Sequence, residues 1–240
     1  MEQYIYGKNT VIEALKGDNS IHYVCLLQKD NAIMDIALRK KIPVKMVDKQ
    51  FFYDAVGKVV HQGVMACIQE YRYFEVPQMI KKIKPGKQPL LLMLDGLEDP
   101  HNLGAILRTA DAIGVDGIII GKNRSVSLNA TVAKVSTGAI DHVPVARVTN
   151  LSRTIEELKA QGYWIVGCDL DKNSVDYRSV DYNMPTVIVM GSEGFGISRL
   201  VKKNCDMHVI LPMHGHVTSL NVSVATAVIL YQVHQSRNPL

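Results

Sequence analysis

Along its first 75 residues the chain alternates between helical and strand patterns. TVIEALKG reads as a short helix closed by Gly17, IHYVCLLQ as a strand, NAIMDIALRKK as a helix and PVKMV as a strand. A further helix around QFFYDAVG and a strand in GVMACIQ follow. A second alternating series begins near residue 89. It predicts strands at PLLLMLD, DGIII, DHVPVARV, YWIVGCD, TVIVMG and MHVIL. Helices are predicted around 102–113, 129–137, 150–161 and 197–203, with a last one from about 219 to 236. Near-continuous apolar strands separated by helices point to an α/β fold with a mostly parallel sheet covered on both faces. Between the two series lies IKKIKPGKQP, rich in Lys, Pro and Gly, which reads as a boundary. The predicted organisation is a small α/β domain over 1–75, a basic linker over 76–88 and a larger domain over 89–240.

Composition narrows the class. A chain of 240 residues that is 47% hydrophobic and 21% charged can bury a sizeable core. It contains no run of the roughly 20 apolar residues that a membrane span needs. The N-terminus, MEQYIYGKNT, lacks the charged-then-apolar layout of a signal peptide, so a cytoplasmic protein without a membrane partner is expected. Cys25, Cys67, Cys168 and Cys205 are scattered and suit reduced thiols. Cys205, His208, His214 and His216 share a short window, but it has no second ligand pair at zinc-finger spacing, and no metal is expected.

The formal charge of +4 is uneven. Residues 1–88 hold 14 Lys and Arg against 9 Asp and Glu, and much of the excess is Lys81, Lys82, Lys84 and Lys87. Such a segment attracts polyanions such as RNA. A solvated linker would carry the same lysines for solubility alone.

Three polar clusters follow predicted strands, where parallel sheets bind ligands. In LDGLEDPHNLGAILRTADAIG, Asn102 is placed as a helix N-cap. Leu103, Ile106, Leu107, Ala110 and Ile113 form an apolar stripe, and Arg108 points away from it among Gly104, Ala105 and Ala112. In TVIVMGSEGFGISRL, glycines let a ligand approach the backbone, and Glu193 is a charge set in a tight turn. The spacing is not that of a dinucleotide fingerprint. In LPMHGHVTSLN, Ser219 and Asn221 can cap the last helix, whose free N–H groups can also bind a ligand. That helix is apolar on nearly every side, so a sheet on one face and a partner subunit on the other are expected to cover it.

NLGAILRTADAIG with its lead-in DGLEDPH, then VMGSEGFGISRL, then LPMHGHVTSLNVSVATAVILY resemble the three motifs of the SpoU (TrmH-like) family of RNA 2′-O-ribose methyltransferases. The resemblance covers residues 89–240. Residues 1–75, with YGKNTVIEAL and HQGVMA, resemble the substrate-binding domain of the family's rRNA-modifying branch, itself similar to a ribosomal-protein fold. The branch most similar methylates a guanosine ribose in 23S rRNA. The resemblance implies a trefoil knot near the C-terminus, an exception to the rule against threaded chains. It implies a homodimer and S-adenosylmethionine as methyl donor. It places functional positions at Asn102, Arg108, Glu193, Ser219 and Asn221, and a donor pocket around Gly191, Leu211, Met213 and Leu220. Leu211 stands where relatives often carry Ile. Arg108 is the family's proposed base. A guanidinium almost never loses its proton, so a cation that binds phosphate is the alternative role.

Other readings remain open at this level. The same chemistry on tRNA is one, and a non-catalytic RNA-binding relative is another. A nucleotide-dependent oxidoreductase would need a glycine fingerprint after its first strand, and none is present.

Overall fold

The computed structural model describes residues 3–16, 21–68 and 71–239, so the expected helix end at Gly17 and strand end at Gln69 lie outside the described residues. The described residues fall into two compact units. One runs to Tyr71 and includes Asn129–Thr131, and the other holds the rest.

The first unit contains β1 (Gln3–Tyr6), α1 (Lys8–Lys16), β2 (Ile21–Leu26), α2 (Asn31–Arg39), β3 (Val44–Met46), α3 (Lys49–Val56) and β4 (Val64–Ile68). Its sheet has the order β1-β4-β2-β3, with β4 antiparallel to β1 and β2, and β3 parallel to β2. Strand alternation divides the core. Val24 and Leu26 face α1 and α2 side chains such as Val11, Leu15 and Ile33, while Cys25 joins Phe52 and Met65 in a separate cluster. Asp30 and Asp48 cap α2 and α3 by accepting from Ile33 and Phe51 backbone N–H groups. Lys8 sits 2.6 Å from Asp30, and that bond holds the Asp30 carboxyl below its ordinary range. Strand β1, QYIY, is too short to show a pattern in the sequence.

The second unit is built on β5 (Leu90–Leu94), β6 (Gly117–Gly121), β7 (Val145–Val148), β8 (Trp164–Cys168), β9 (Val175–Asp176), β10 (Thr186–Met190) and β11 (Met207–Ile210). They form one sheet, ordered β7-β6-β5-β10-β8-β11-β9, with every pairing parallel. Every residue of β5 and β10 is buried, as the apolar runs LLLML and TVIVM require of central strands. Around the sheet lie α4 (Val76–Lys81), α5 (Pro100–Ile113), α6 (Ala130–Ser136), α7 (Leu151–Lys159), α8 (Arg199–Asn204) and α9 (Val222–Arg237).

The stretch expected to be a basic linker is part of this second unit. Met79 of α4 is fully buried with Leu91, Ile119 and Ala146. Gly117 has no side chain because a Cβ there would lie 2.0 Å from the Met79 sulfur. Phe74 N–H donates to the Val145 carbonyl, and Lys82 lies over the Phe74 ring. Lys87 pairs with Asp116 at 2.6 Å. Buried Met79, with Val76 and Ile80 partly buried beside it, anchors this short helix to the sheet.

Within the single chain, helix α9 has one covered face. Val222, Thr226, Ile229, Leu230 and Val233 are buried, while Val224, Val228 and Tyr231 are exposed. Its C-terminal end is tied down by Arg237, whose guanidinium donates to the carbonyls of Gln88, Pro89, Tyr182 and Met184. Among the described residues no helix is long and apolar enough to cross a membrane.

Candidate active site

The loops after β5, β6 and β10 enclose a cavity of about 630 Å³ at the carboxyl edge of the parallel sheet. Asp95, Asn102, Arg124, Glu193, Phe195 and Ser198 are among its lining residues.

Helix α5 starts two residues before the expected boundary. Asp99 is the N-cap, accepting from His101 N–H at 2.9 Å, and Pro100 fills the first turn. Asn102 is therefore inside the first turn and not at the cap. It is 7% exposed, and its Nδ2 donates to Glu193 Oε1 at 3.1 Å.

Glu193 stands on a turn that closes on itself. Ser192 N–H donates to the Gly196 carbonyl at 3.1 Å, and Gly196 N–H returns to the Ser192 carbonyl at 3.0 Å. A Cβ on Gly191 would come within 2.1 Å of the Gly196 backbone, so glycine at this position lets the loop return on itself. Gly194 and Gly196 take φ of +85° and +65°. The turn is fastened outside as well. Asp95 Oδ2 accepts from Ser198 N–H at 2.7 Å, and Asp169 Oδ2 accepts from Ile197 N–H at 3.4 Å.

Asn221 completes the arrangement. As N-cap of α9 its Oδ1 accepts from Ser223 and Val224 N–H groups. Its Nδ2 donates to Asn102 Oδ1 at 3.0 Å and to Glu193 Oε1 at 2.8 Å. Asn102, Glu193 and Asn221, one from each polar cluster, thus form a closed hydrogen-bonded triangle. Glu193 Oε1 accepts from both amide donors.

The other expected residues stand apart. Ser219 is exposed, two positions before the cap that Asn221 provides. Arg108 is exposed on α5 and does not line the cavity. Six residues from Asn102, it is turned about 120° away around a helix of 3.6 residues per turn. Gly104, expected to leave room beside Arg108, instead lets α6 approach: a Cβ would lie 2.6 Å from that of Val135. Leu211 and Met213 are half-buried and Leu220 is exposed, and none of the three lines the cavity. Gly191 and Leu211 directly follow β10 and β11, on either side of β8, so their loops emerge along the same edge. Among the described residues no hydrogen bond engages the backbone between Pro212 and Leu220.

Cys168 ends β8 and Cys205 lies just before β11, and burial pushes each thiol up to about 12, with Asp169 and Asp206 adding to it respectively. Such thiols are poor nucleophiles at neutral pH. Sequence reasoning missed Asp95, Arg124 and Phe195. Asp95 closes a buried strand and Phe195 is an apolar residue in a polar turn, and both signals were legible. Arg124 in GKNRS gave none.

Residues 89–231 match the model of the SpoU rRNA Methylase family, and residues 4–74 match that of RNA 2′-O ribose methyltransferase substrate binding. A Bacillus subtilis protein, whose name assigns it to the TrmH family of tRNA/rRNA methyltransferases, is 46% identical over 99% of this chain and 97% of its own. The crystal structure of an AdoMet-bound rRNA methyltransferase from Sinorhizobium meliloti aligns at TM-score 0.63 and 27% identity, covering 98% of this chain and 87% of that one. That of the A. aeolicus TrmH/SpoU tRNA modifying enzyme aligns at TM-score 0.59 and 33% identity, covering 67% of this chain and 81% of that one.

Proposed function

From the premise that the chain belongs to the SpoU rRNA Methylase family, we propose that it transfers a methyl group from S-adenosylmethionine to a ribose 2′-hydroxyl of RNA, a guanosine of 23S rRNA. The observation that carries this reading is the triangle of Asn102, Glu193 and Asn221 beside a cavity of about 630 Å³. That volume lies within the roughly 300–1,000 Å³ of small-molecule sites. The rRNA target is favoured over tRNA by coverage. The Sinorhizobium rRNA enzyme aligns with 98% of this chain and the A. aeolicus tRNA enzyme with 67%.

The residues present fit the donor. An adenine edge pairs with backbone N–H and C=O groups, and residues 212–220 have both to spare. Gly191, Leu211, Met213 and Leu220 are the positions that would hold it, on loops leaving one edge of the sheet. When bound, S-adenosylmethionine supplies an already activated methyl group, so the protein's work is alignment and management of one proton.

Glu193 is fixed by two donors through Oε1, so Oε2 can accept the ribose hydroxyl's hydrogen and orient its oxygen. Asn102 and Asn221 hold that carboxylate in place and tie the turn to the starts of α5 and α9. Arg108 stays cationic, as a guanidinium does, and stabilises the oxygen's developing charge or the neighbouring phosphate. Because its own chain does not bring Arg108 to the cavity, the site is completed by RNA or by a second copy. The exposed row Val224, Val228 and Tyr231 on α9, next to α5 in the fold, supports a homodimer. The same reading takes the last segments as knotted, and residues 1–75 as the RNA-binding unit.

The test is to map 2′-O-methylation across rRNA and tRNA from cells with and without the protein. Loss of one ribose methyl in 23S rRNA supports the full reading. Loss confined to tRNA would retain the chemistry and replace the target.

A further inference from the structure

Two side chains at the cavity are spent on nothing within the fold. Arg124, in the loop after β6, has φ of +50°, a conformation that non-glycine residues rarely take and that clusters at functional sites. Four carboxylates, Asp95, Glu98, Asp99 and Glu193, border the same cavity, and Arg124 is the one cationic side chain among its described lining residues. Yet Arg124 forms no ion pair or hydrogen bond with any described residue. The neighbouring Ser125 hydroxyl is buried without a partner. Arg147 holds the start of this loop by donating to the Lys122 carbonyl at 3.0 Å.

Phe195 is the second. Its side chain is 95% exposed, at the tip of the turn that carries Glu193. The reciprocal Ser192–Gly196 hydrogen bonds fix that turn, so the ring is held out by a set backbone and not by a frayed end. A phenyl ring held in water is unfavourable until it meets a flat apolar face. A nucleobase is such a face, and RNA sites combine stacked aromatics with cations on the backbone.

We propose that the cavity receives the target nucleotide unstacked from its neighbours, with Arg124 gripping its phosphate and Phe195 stacking on its base. The inference rests on the reading of the chain as an RNA methyltransferase and adds two positioning residues outside the triangle. The unpaired guanidinium is what lets a phosphate approach a cavity otherwise edged by carboxylates. The stacking ring turns the ribose toward Glu193 without reading the base edge.

The test uses the full chain with Arg124→Gly, Arg124→Lys, Phe195→Ala and Phe195→Tyr. Glycine suits the positive φ at 124, so that variant loses the side chain without backbone strain. Three quantities are read: calorimetric affinity for S-adenosylmethionine, affinity for a fluorescein-labelled single-stranded oligoribonucleotide across a salt series, and methyl transfer to deproteinised rRNA from cells lacking the protein. Arg124→Gly and Phe195→Ala should each weaken RNA affinity and raise the KM for rRNA about tenfold, with kcat and donor affinity near normal. The salt slope of Arg124→Gly should fall by about one, the signature of a lost phosphate contact. Phe195→Tyr should behave as wild type, and Arg124→Lys should restore the salt slope.

Unchanged RNA affinity and KM in both deletion variants would overturn the assignment while leaving the methyltransferase reading intact. Loss of donor affinity to the same degree would also overturn it, placing these residues in the donor pocket. Weakened RNA binding in a protein that methylates no RNA would support the nucleotide site and defeat the activity reading.

Discussion

The Asn221 amide donates to Glu193 Oε1 at 2.8 Å while its own oxygen accepts the first amide groups of α9. One side chain therefore ends a helix and holds a carboxylate from a loop 28 residues away. The two duties can be separated. Asn221→Ser keeps a capping oxygen and loses the bridging amide, so it should fold with near-normal stability and lose most methyl transfer. Asn221→Ala should lose the cap as well, costing roughly a further 0.5–2 kcal/mol in denaturant unfolding. Wild-type turnover by a folded Asn221→Ser protein would mean the triangle is only structural.

Gly191 and Gly215 make a controlled pair on the same edge of the sheet. A Cβ at 191 meets the Gly196 backbone within 2.1 Å, whereas one at 215 meets nothing within 4 Å. Gly191→Ala should cost at least about 1–3 kcal/mol, since the obstructing atoms are backbone and cannot swing aside. It should also depress activity by displacing Glu193. Gly215→Ala should be close to neutral. Thermal unfolding of both variants checks this, and equal melting points would contradict it.

The exposed apolar row on α9 predicts self-association. Val228→Asp places a charge in the middle of that row and should shift sedimentation at micromolar concentration from dimer toward monomer, with little change in the helical signal. A wild-type protein that sediments as a monomer would remove the dimer from the account.

Much of the fold is legible in the chain because buried parallel strands cannot hide. LLLML is apolar throughout, and TVIVM is apolar after its first residue, since both faces are covered, and their positions follow directly from that. Short elements are different. Helix α4 has six residues beside a lysine-rich stretch, and it is committed to the sheet by Met79 with Val76 and Ile80 packed beside it. Strand β9 has two residues at an edge. Helix α5 starts at Pro100 and not at Asn102, because Asp99-Pro100 is the stronger start signal. In the site, the residue types were readable and their mutual bonds were not. Asn102 and Asn221 meet across 119 positions, a distance that no local pattern spans. The Gly104 reading failed for the same reason, since Val135 arrives from a separate helix.

Arg108 is exposed and turned away from Asn102, which makes its role testable in two ways. Arg108→Ala should abolish methyl transfer while sparing the melting temperature and donor affinity. If a guanidinium grips phosphate with its planar fork, Arg108→Lys should be nearly as poor as Ala. A substantial Lys rate that rises with pH would instead point to a deprotonated base at this position. If a second copy supplies Arg108, mixing Arg108→Ala with Glu193→Gln protein should recover part of the activity that neither has alone.

The most direct test of the central claim is to incubate the purified protein with methyl-labelled S-adenosylmethionine and 23S rRNA from cells lacking it, then digest the RNA to nucleosides and identify the labelled one. The account predicts label in 2′-O-methylguanosine alone, and none when Glu193→Gln replaces the wild type. Label on a base, or full incorporation by the Glu193→Gln protein, would contradict it.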